Sequence, residues 1–238
     1  MRIIIVRHGD PNYKIDSLTS KGKSEAKLLS KKLTKIPVKA YYSSPLGRAK
    51  KTASYTLKPL HVKAEILPWL REFCGKVRYP DGREESCWDR LPQEWTSDPI
   101  HYTDKWYESE LMKSYNVKEE YDKVTSGIDT LLENYGYIHD GKIFRVVNGN
   151  HDTIVLFCHF GVECVILAHL LGTSPMVFWH NFVALPSSVT ELVTEERQKG
   201  ISAFRITAFG DTGHLYKGNE APSFAARFCE CYEDDTRH

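Results

Sequence analysis

The chain has almost no net charge, no CxxC pair, no internal repeat and no low-complexity tract. Lys and Arg total 32 against 31 acidic residues, a formal net charge of +1. Bulk electrostatic attraction to nucleic acid or to an anionic membrane is therefore excluded, and neither is expected as a partner. The six cysteines (Cys74, Cys87, Cys158, Cys164, Cys229 and Cys231) lack zinc-finger spacing. The N-terminus goes straight into a strand-like run with no secretory leader pattern, so reduced thiols and a cytoplasmic location are the expectation. Only Cys229-x-Cys231 invites a metal or redox reading, and it stands in a polar tail. One stretch, Thr153 to Gly172, is apolar enough to raise the question of a membrane, but it carries His159, Glu163 and His169. Ionisable groups near a bilayer midplane are costly, so a buried strand followed by a helix is the better reading.

What is present fits a globular chain of 238 residues, 41% hydrophobic and 26% charged. One α/β domain spanning 1–238 with a single large core is feasible at this length. Met1-Arg2-Ile3-Ile4-Ile5-Val6-Arg7-His8-Gly9 opens it. Its β-branched run is too short for a helix and reads as a buried central strand. Arg7 and His8 then stand at the carboxyl end, where open α/β sheets bind ligands. The plainer alternative is a charged pair capping a strand. Asp10 to Leu18 reads as a polar loop. Ala26, Leu29 and Leu33 recur at helical spacing after Thr19, a plausible N-cap. Val38 to Tyr42 reads as a second strand, completing a βαβ unit.

Ser44 as N-cap and Pro45 at the first helical position predict the next helix start. Its free N–H groups would face the crevice floored by Arg7 and His8, and Arg48, one turn in, would reach an anion lodged there. Alternatively, Arg48 belongs to a basic surface helix with Lys50 and Lys51. His61 to Ile66 reads as a third strand leading to Leu70-Arg71-Glu72. Lys76 to about Glu120 is rich in aromatics and is read as a cap or lid of short helices over the crevice. It is equally a subdomain that merely packs. A helix follows from Val117 to Tyr137. Ile143–Val147 and Thr153–Cys158 read as two strands around a turn, the second ending at His159. A helix from Val162 closes at Gly172. Val189–Thr194 and Ile201–Phe209 form an expected antiparallel edge pair, and the tail from Asn219 reads as a loose extension.

Taken in order, Arg7-His8-Gly9, Ser44-Pro45-Leu46 with Arg48, Leu70-Arg71-Glu72 and His159 resemble the histidine phosphatase superfamily, which includes the cofactor-dependent phosphoglycerate mutases. Leu18-Thr19 with Gly22 and Ala26, and Asp211-Thr212-Gly213-His214-Leu215, extend the resemblance from residue 2 to about 215. It implies a three-layer α/β sandwich with a mostly parallel central sheet, helices on both faces and the inserted cap region at 76–120. It further implies a metal-independent phosphomonoesterase with no cofactor, acting on a small phosphorylated metabolite. His8 would be the nucleophile that forms a phosphohistidine and Glu72 the general acid and base. Arg7, Arg48 and His159 would bind the phosphate and stabilise the transition state, with Asn12 as a lesser phosphate contact. The glycolytic mutases carry a Trp-Asn pair and a Gly-Trp segment in the first loop; here that loop reads Asp10-Pro11-Asn12-Tyr13-Lys14-Ile15-Asp16-Ser17. Hydrolysis is therefore expected ahead of mutase-type transfer, with a phosphate-binding regulatory module as a further alternative. The family usually places glycine directly after its second histidine. Here Phe160 intervenes before Gly161, so an altered backbone turn at His159 is expected. Arg78, Arg83, Arg90 and Lys105 are candidates for a second anionic group of the substrate.

Overall fold

The computed structural model describes residues 1–223. The chain begins with β1 (Arg2–Arg7), a minimal hairpin of β2 (Pro11–Asn12) and β3 (Ser17–Leu18), α1 (Ser20–Leu33), β4 (Ala40–Ser43), α2 (Gly47–Leu60) and β5 (Glu65–Ile66). A second hairpin, β6 (Lys76–Arg78) and β7 (Glu84–Ser86), and α3 (Pro92–Thr96) precede α4 (Val117–Glu133). Next come β8 (Tyr137–Asp140), β9 (Ile143–Val146), β10 (Thr153–Cys158), α5 (Phe160–Leu171), α6 (Pro175–Asn181), β11 (Val189–Gln198), β12 (Ile201–Asp211) and α7 (Gly213–Lys217).

Eight strands form one mixed sheet in the order β5-β4-β10-β1-β11-β12-β9-β8. Ile3, Ile4, Ile5 and Val6 are all fully buried, because alternate side chains leave β1 for two different cores. Ile3 and Ile5 join the larger core under α4 and α5, while Ile4 and Val6 join a smaller one with Leu29 and Leu33 of α1 and Ala53 of α2. Helices thus cover both faces. Burial on both sides is also why β10 is continuously apolar. α5, buried around nearly its whole girth, accounts for the long apolar stretch. It ends at Gly172 in the left-handed conformation. Among the described residues no helix is long and apolar enough to cross a membrane.

The parallel character is confined to one half of the sheet. β5, β4, β10 and β1 pair in parallel, whereas β1·β11, β11·β12, β12·β9 and β9·β8 are antiparallel. The expected edge pair, β11 and β12, is therefore interior. The strands at 143–147 and 153–158 are not partners either. β9 pairs with β8, whose first residue, Tyr137, reads in the sequence as the end of a helix, and Gly136 and Gly141 turn the chain at positive φ on either side of β8. Other boundaries shift. The second strand is Ala40–Ser43 and the third shrinks to Glu65–Ile66, since His61 takes a left-handed C-cap conformation that ends α2.

The 76–120 excursion contains a β-hairpin besides short helices. Its rings fill the main core: Trp106 is fully buried edge-on to Trp179, and Trp95 stacks on His180. The start of the tail is not loose. Lys21 pairs with Glu220, the backbone N–H of Ser223 donates to Glu25, and its hydroxyl bonds to Asp10. Cys229 and Cys231 lie outside the described residues.

Candidate active site

Strand register builds this site. Arg7 pairs with Cys158 in the parallel β1·β10 ladder, so the next residues, His8 and His159, leave the sheet side by side. Their ring centroids are 5.0 Å apart. The same ladder logic brings Ser44 out of β4 beside them: its N–H donates to Phe157 O, and its hydroxyl lies 2.7 Å from Nε2 of His159.

His8 is almost fully buried, and its Nδ1 is 2.8 Å from the Gly9 carbonyl. A carbonyl only accepts, so Nδ1 carries the proton and a neutral ring keeps its lone pair on Nε2. That nitrogen accepts from Nε of Arg48 at 3.3 Å. Burial, then the Arg7 charge and to a smaller degree that of Arg48, push the His8 pKa down to about 3, opposed by the Gly9 hydrogen bond. At neutral pH the ring is uncharged.

Arg48 is the second residue of α2, not a full turn in. The expected Ser44-Pro45 helix start fails because the Ser44 hydroxyl serves His159 and the Leu46 N–H, leaving Leu46 as N-cap without a side-chain bond. Asp16 takes over the helix terminus instead. Its carboxylate accepts from the N–H of Gly47 at 2.5 Å and binds Nη1 of Arg48 at 2.8 Å. A Cβ on Gly47 would stand 2.0 Å from the Asp16 carbonyl, so this approach requires glycine. Hydrogen bonds from Gly47 and Arg48 hold the Asp16 carboxyl below its ordinary pKa although desolvation opposes them.

Arg7 is half-buried, with its guanidinium donating to the Ala184 carbonyl and lying 5.5 Å over the ring of Phe160. Burial lowers its pKa, opposed first by Glu72. Burial likewise raises the pKa of Glu72, opposed by Arg7 and by backbone N–H bonds from Phe73 (3.0 Å) and Val162 (3.3 Å) to Oε1. A Cβ on Gly161 would meet that oxygen at 2.7 Å. Phe160 leaves the turn ordinary: His159 has extended angles (φ −137°, ψ 166°) and Phe160 simply opens α5. The expected distortion is absent because neither position needs a glycine-only conformation.

The Asn12 side chain turns to local structure, capping the Tyr13–Ile15 turn by accepting from the Lys14 N–H. Of the second-anion candidates, Arg78 pairs with Glu84, Arg83 with Asp81 and Glu85, and Arg90 with Glu85 and Glu94, while Lys105 is exposed. Sequence reading missed Asp16 and assigned Ser44 only a helix-capping role. It also missed Glu163, buried with the Thr190 hydroxyl donating to Oε1 at 2.5 Å and its other oxygen unpartnered. Burial pushes the Glu163 pKa up to about 7. The available signal was a lone carboxylate in an apolar helix. The Asp211–Leu215 run also connects here, since His214 Nε2 lies 3.1 Å from the Ser187 hydroxyl and the Ser187 N–H donates to the His8 carbonyl.

The family described as the histidine phosphatase superfamily, branch 1, matches residues 3–207. No curated protein matches the sequence. Solved structures share the fold at low identity. A phosphoserine phosphatase mutant from Entamoeba histolytica in complex with phosphoserine is 16% identical with a TM-score of 0.60, covering 90% of this chain and 98% of that one. A mycobacterial glucosyl-3-phosphoglycerate phosphatase is 16% identical with a TM-score of 0.60, covering 89% and 99%. The alpha-ribazole phosphatase from Shigella flexneri is 18% identical with a TM-score of 0.55, covering 89% and 96%.

Proposed function

Since the chain belongs to the histidine phosphatase superfamily, we propose that it hydrolyses a small phosphomonoester through a phosphohistidine on His8. The observation that carries this reading is the buried, neutral His8 ring, with Nδ1 committed to Gly9 and Nε2 among Arg48, Arg7 and His159. A phosphomonoester dianion displaces the Arg48 Nε–H from Nε2 and takes that donor on an equatorial oxygen. Arg48, already oriented by Asp16, and Arg7 neutralise the phosphoryl charge, so the reaction does not depend on a metal ion.

His159 Nδ1 is buried without a partner. The Ser44 oxygen accepts from Leu46, leaving its hydrogen for the His159 Nε2 lone pair. The neutral ring then offers Nδ1–H to a phosphoryl oxygen. Burial first, then the positive charges around it, hold the His159 pKa well below normal. The Nε2–P bond forms as the P–O bond to the alcohol breaks, and the alkoxide takes a proton from Glu72, which burial keeps available for protonation. Glu72 then deprotonates the incoming water, whose oxygen bonds to phosphorus and releases His8.

A cavity of about 500 Å³ adjoins Glu72, lined also by Trp69, Arg71, Phe73 and Lys123. That size suits a metabolite, and Arg71 offers charge to a second anionic group, whereas Lys123 is already paired with Glu119 and Glu120. Phosphoserine, glucosyl-3-phosphoglycerate and alpha-ribazole phosphate, the compounds named for the structural neighbours, head the substrates to screen.

The test is p-nitrophenyl phosphate hydrolysis with chelator present, wild type against His8→Ala. Wild-type turnover lost in the variant supports the reading; turnover that survives His8→Ala rejects it. An inactive wild type that still binds phosphate is a regulatory module, and transfer between phosphoglycerate positions in a coupled assay makes it a mutase.

A further inference from the structure

Asp129 on α4, His139 on β8 and His169 near the end of α5 converge at a place the phosphatase chemistry does not use. Oδ1 of Asp129 lies 3.1 Å from Nδ1 of His139 and 2.8 Å from Nε2 of His169. The three ligand-type atoms all lie within 4.8 Å of one another. His169 is ten residues beyond His159 on α5, hence about 15 Å along the helix axis from the phosphate site.

We propose that Asp129, His139 and His169 bind a divalent transition-metal ion, with zinc the best fit, that ties α4, β8 and α5 together.

Two imidazole nitrogens and one carboxylate oxygen select against magnesium and calcium, which favour oxygen ligands, and suit zinc. Tetrahedral ligands at about 2.1 Å from zinc stand about 3.4 Å apart, so the two Asp129 spacings need to open by about half an ångström, and the His139–His169 spacing, no more than 4.8 Å, needs to settle to the same value. The rings are already oriented. His139 stacks on Phe144 (4.7 Å, 9°), and the His139 and His169 rings meet edge-on at 4.4 Å.

A cavity of about 330 Å³, lined by Asp129, His139, Ser126, Thr130 and Glu133, gives an ion an entry path and room for water as fourth ligand. On binding, each ring presents the nitrogen facing Asp129 to the metal as a lone pair and carries its proton on the other nitrogen, so a neutral ring only changes tautomer and a protonated ring releases one proton to solvent.

The alternative, a carboxylate merely hydrogen-bonded by two histidines, is separated by metal titration. Full-length protein is stripped with chelator, dialysed and titrated calorimetrically with zinc sulfate in a Cys229→Ser/Cys231→Ser background. The expected result is one ion per chain, a raised melting temperature, and affinity reduced by more than about tenfold in His139→Gln and in His169→Gln. Cobalt(II) should give a d–d spectrum of four-coordinate N/O type without thiolate charge transfer, a readout on the background protein that stands even if the histidine variants fail to fold. No saturable zinc or cobalt binding overturns the proposal, as does binding unchanged in both histidine variants.

Discussion

The Ser44 hydroxyl sits 2.7 Å from Nε2 of His159 and accepts the Leu46 N–H at 3.2 Å, so one small side chain ends β4, orients a site histidine and satisfies the approach to α2. Ser44→Ala strands a buried imidazole nitrogen and a backbone amide. Leaving such groups unpaired costs about 1–3 kcal/mol each, so urea unfolding should show a loss of about 2–6 kcal/mol. Turnover of p-nitrophenyl phosphate should fall about tenfold or more with KM changed less, because His159 keeps its place but loses the partner that fixes its tautomer. A wild-type kcat in the Ser44→Ala variant would mean that the hydroxyl does not set the His159 proton.

Asp16 separates activity from stability in the opposite way. Its side chain is 43% exposed, so its ion pair with Arg48 contributes under about 1 kcal/mol to folding. It also positions the guanidinium that meets His8. Asp16→Asn, which keeps an acceptor for the Gly47 N–H and tolerates the left-handed backbone there but drops the charge that holds Arg48, should therefore lower kcat/KM by roughly ten- to a hundredfold while the urea midpoint barely moves. Equal losses in both measurements would reassign Asp16 to general structural support.

Strand existence was legible wherever burial was two-sided, as at Ile3–Val6 and Ile154–Cys158, because a continuous β-branched or apolar run has few other uses. The groups at the ends of those strands followed from position alone. What could not be read was anything fixed by long-range geometry. Asp16 looks like an ordinary loop acid until the chain folds it against Gly47. Ser44-Pro45 is a good helix start by local rules, but a histidine 115 residues away takes its hydroxyl. β8 hides behind the helical periodicity that precedes it, because only two glycines at positive φ mark its ends.

Four buried groups make stability pH-dependent from both sides. His8 and His214 have pKa values pushed down to about 3 and about 4, chiefly by burial. They are neutral in the folded state and protonate in the unfolded chain near pH 6.5, so stability present above that value is lost as pH falls toward 4. Glu25 and Glu163 have pKa values raised by burial to about 7, against about 4.5 unfolded. Their effect is fully favourable below pH 4.5 and is lost as pH rises through 7. Glu163→Gln keeps an acceptor for the Thr190 hydroxyl and removes the charge. It should match wild type near pH 4.5 and exceed it at pH 8 by about 1–3 kcal/mol in urea titrations. A difference independent of pH would show that Glu163 stays ionised when buried.

Phe160 stands where the family usually has glycine, yet its ring is buried and lies beneath the Arg7 guanidinium at 5.5 Å. Truncating a buried phenylalanine costs about 3–5 kcal/mol, and glycine in a helix costs about 1 kcal/mol beyond alanine. Phe160→Ala should thus lose about 3 kcal/mol or more and Phe160→Gly somewhat more, measured by urea unfolding. Because His159 already has ordinary extended angles and Phe160 ordinary helical ones, restoring glycine relieves no strain. Turnover per folded molecule, assayed well below the melting temperature, should change less than about tenfold and should not rise, since Arg7 loses a ring that helps hold it. A several-fold higher kcat in Phe160→Gly would instead identify the ring as an obstruction to the phosphate, and the arrangement of Arg7 over Phe160 as a brake on the site.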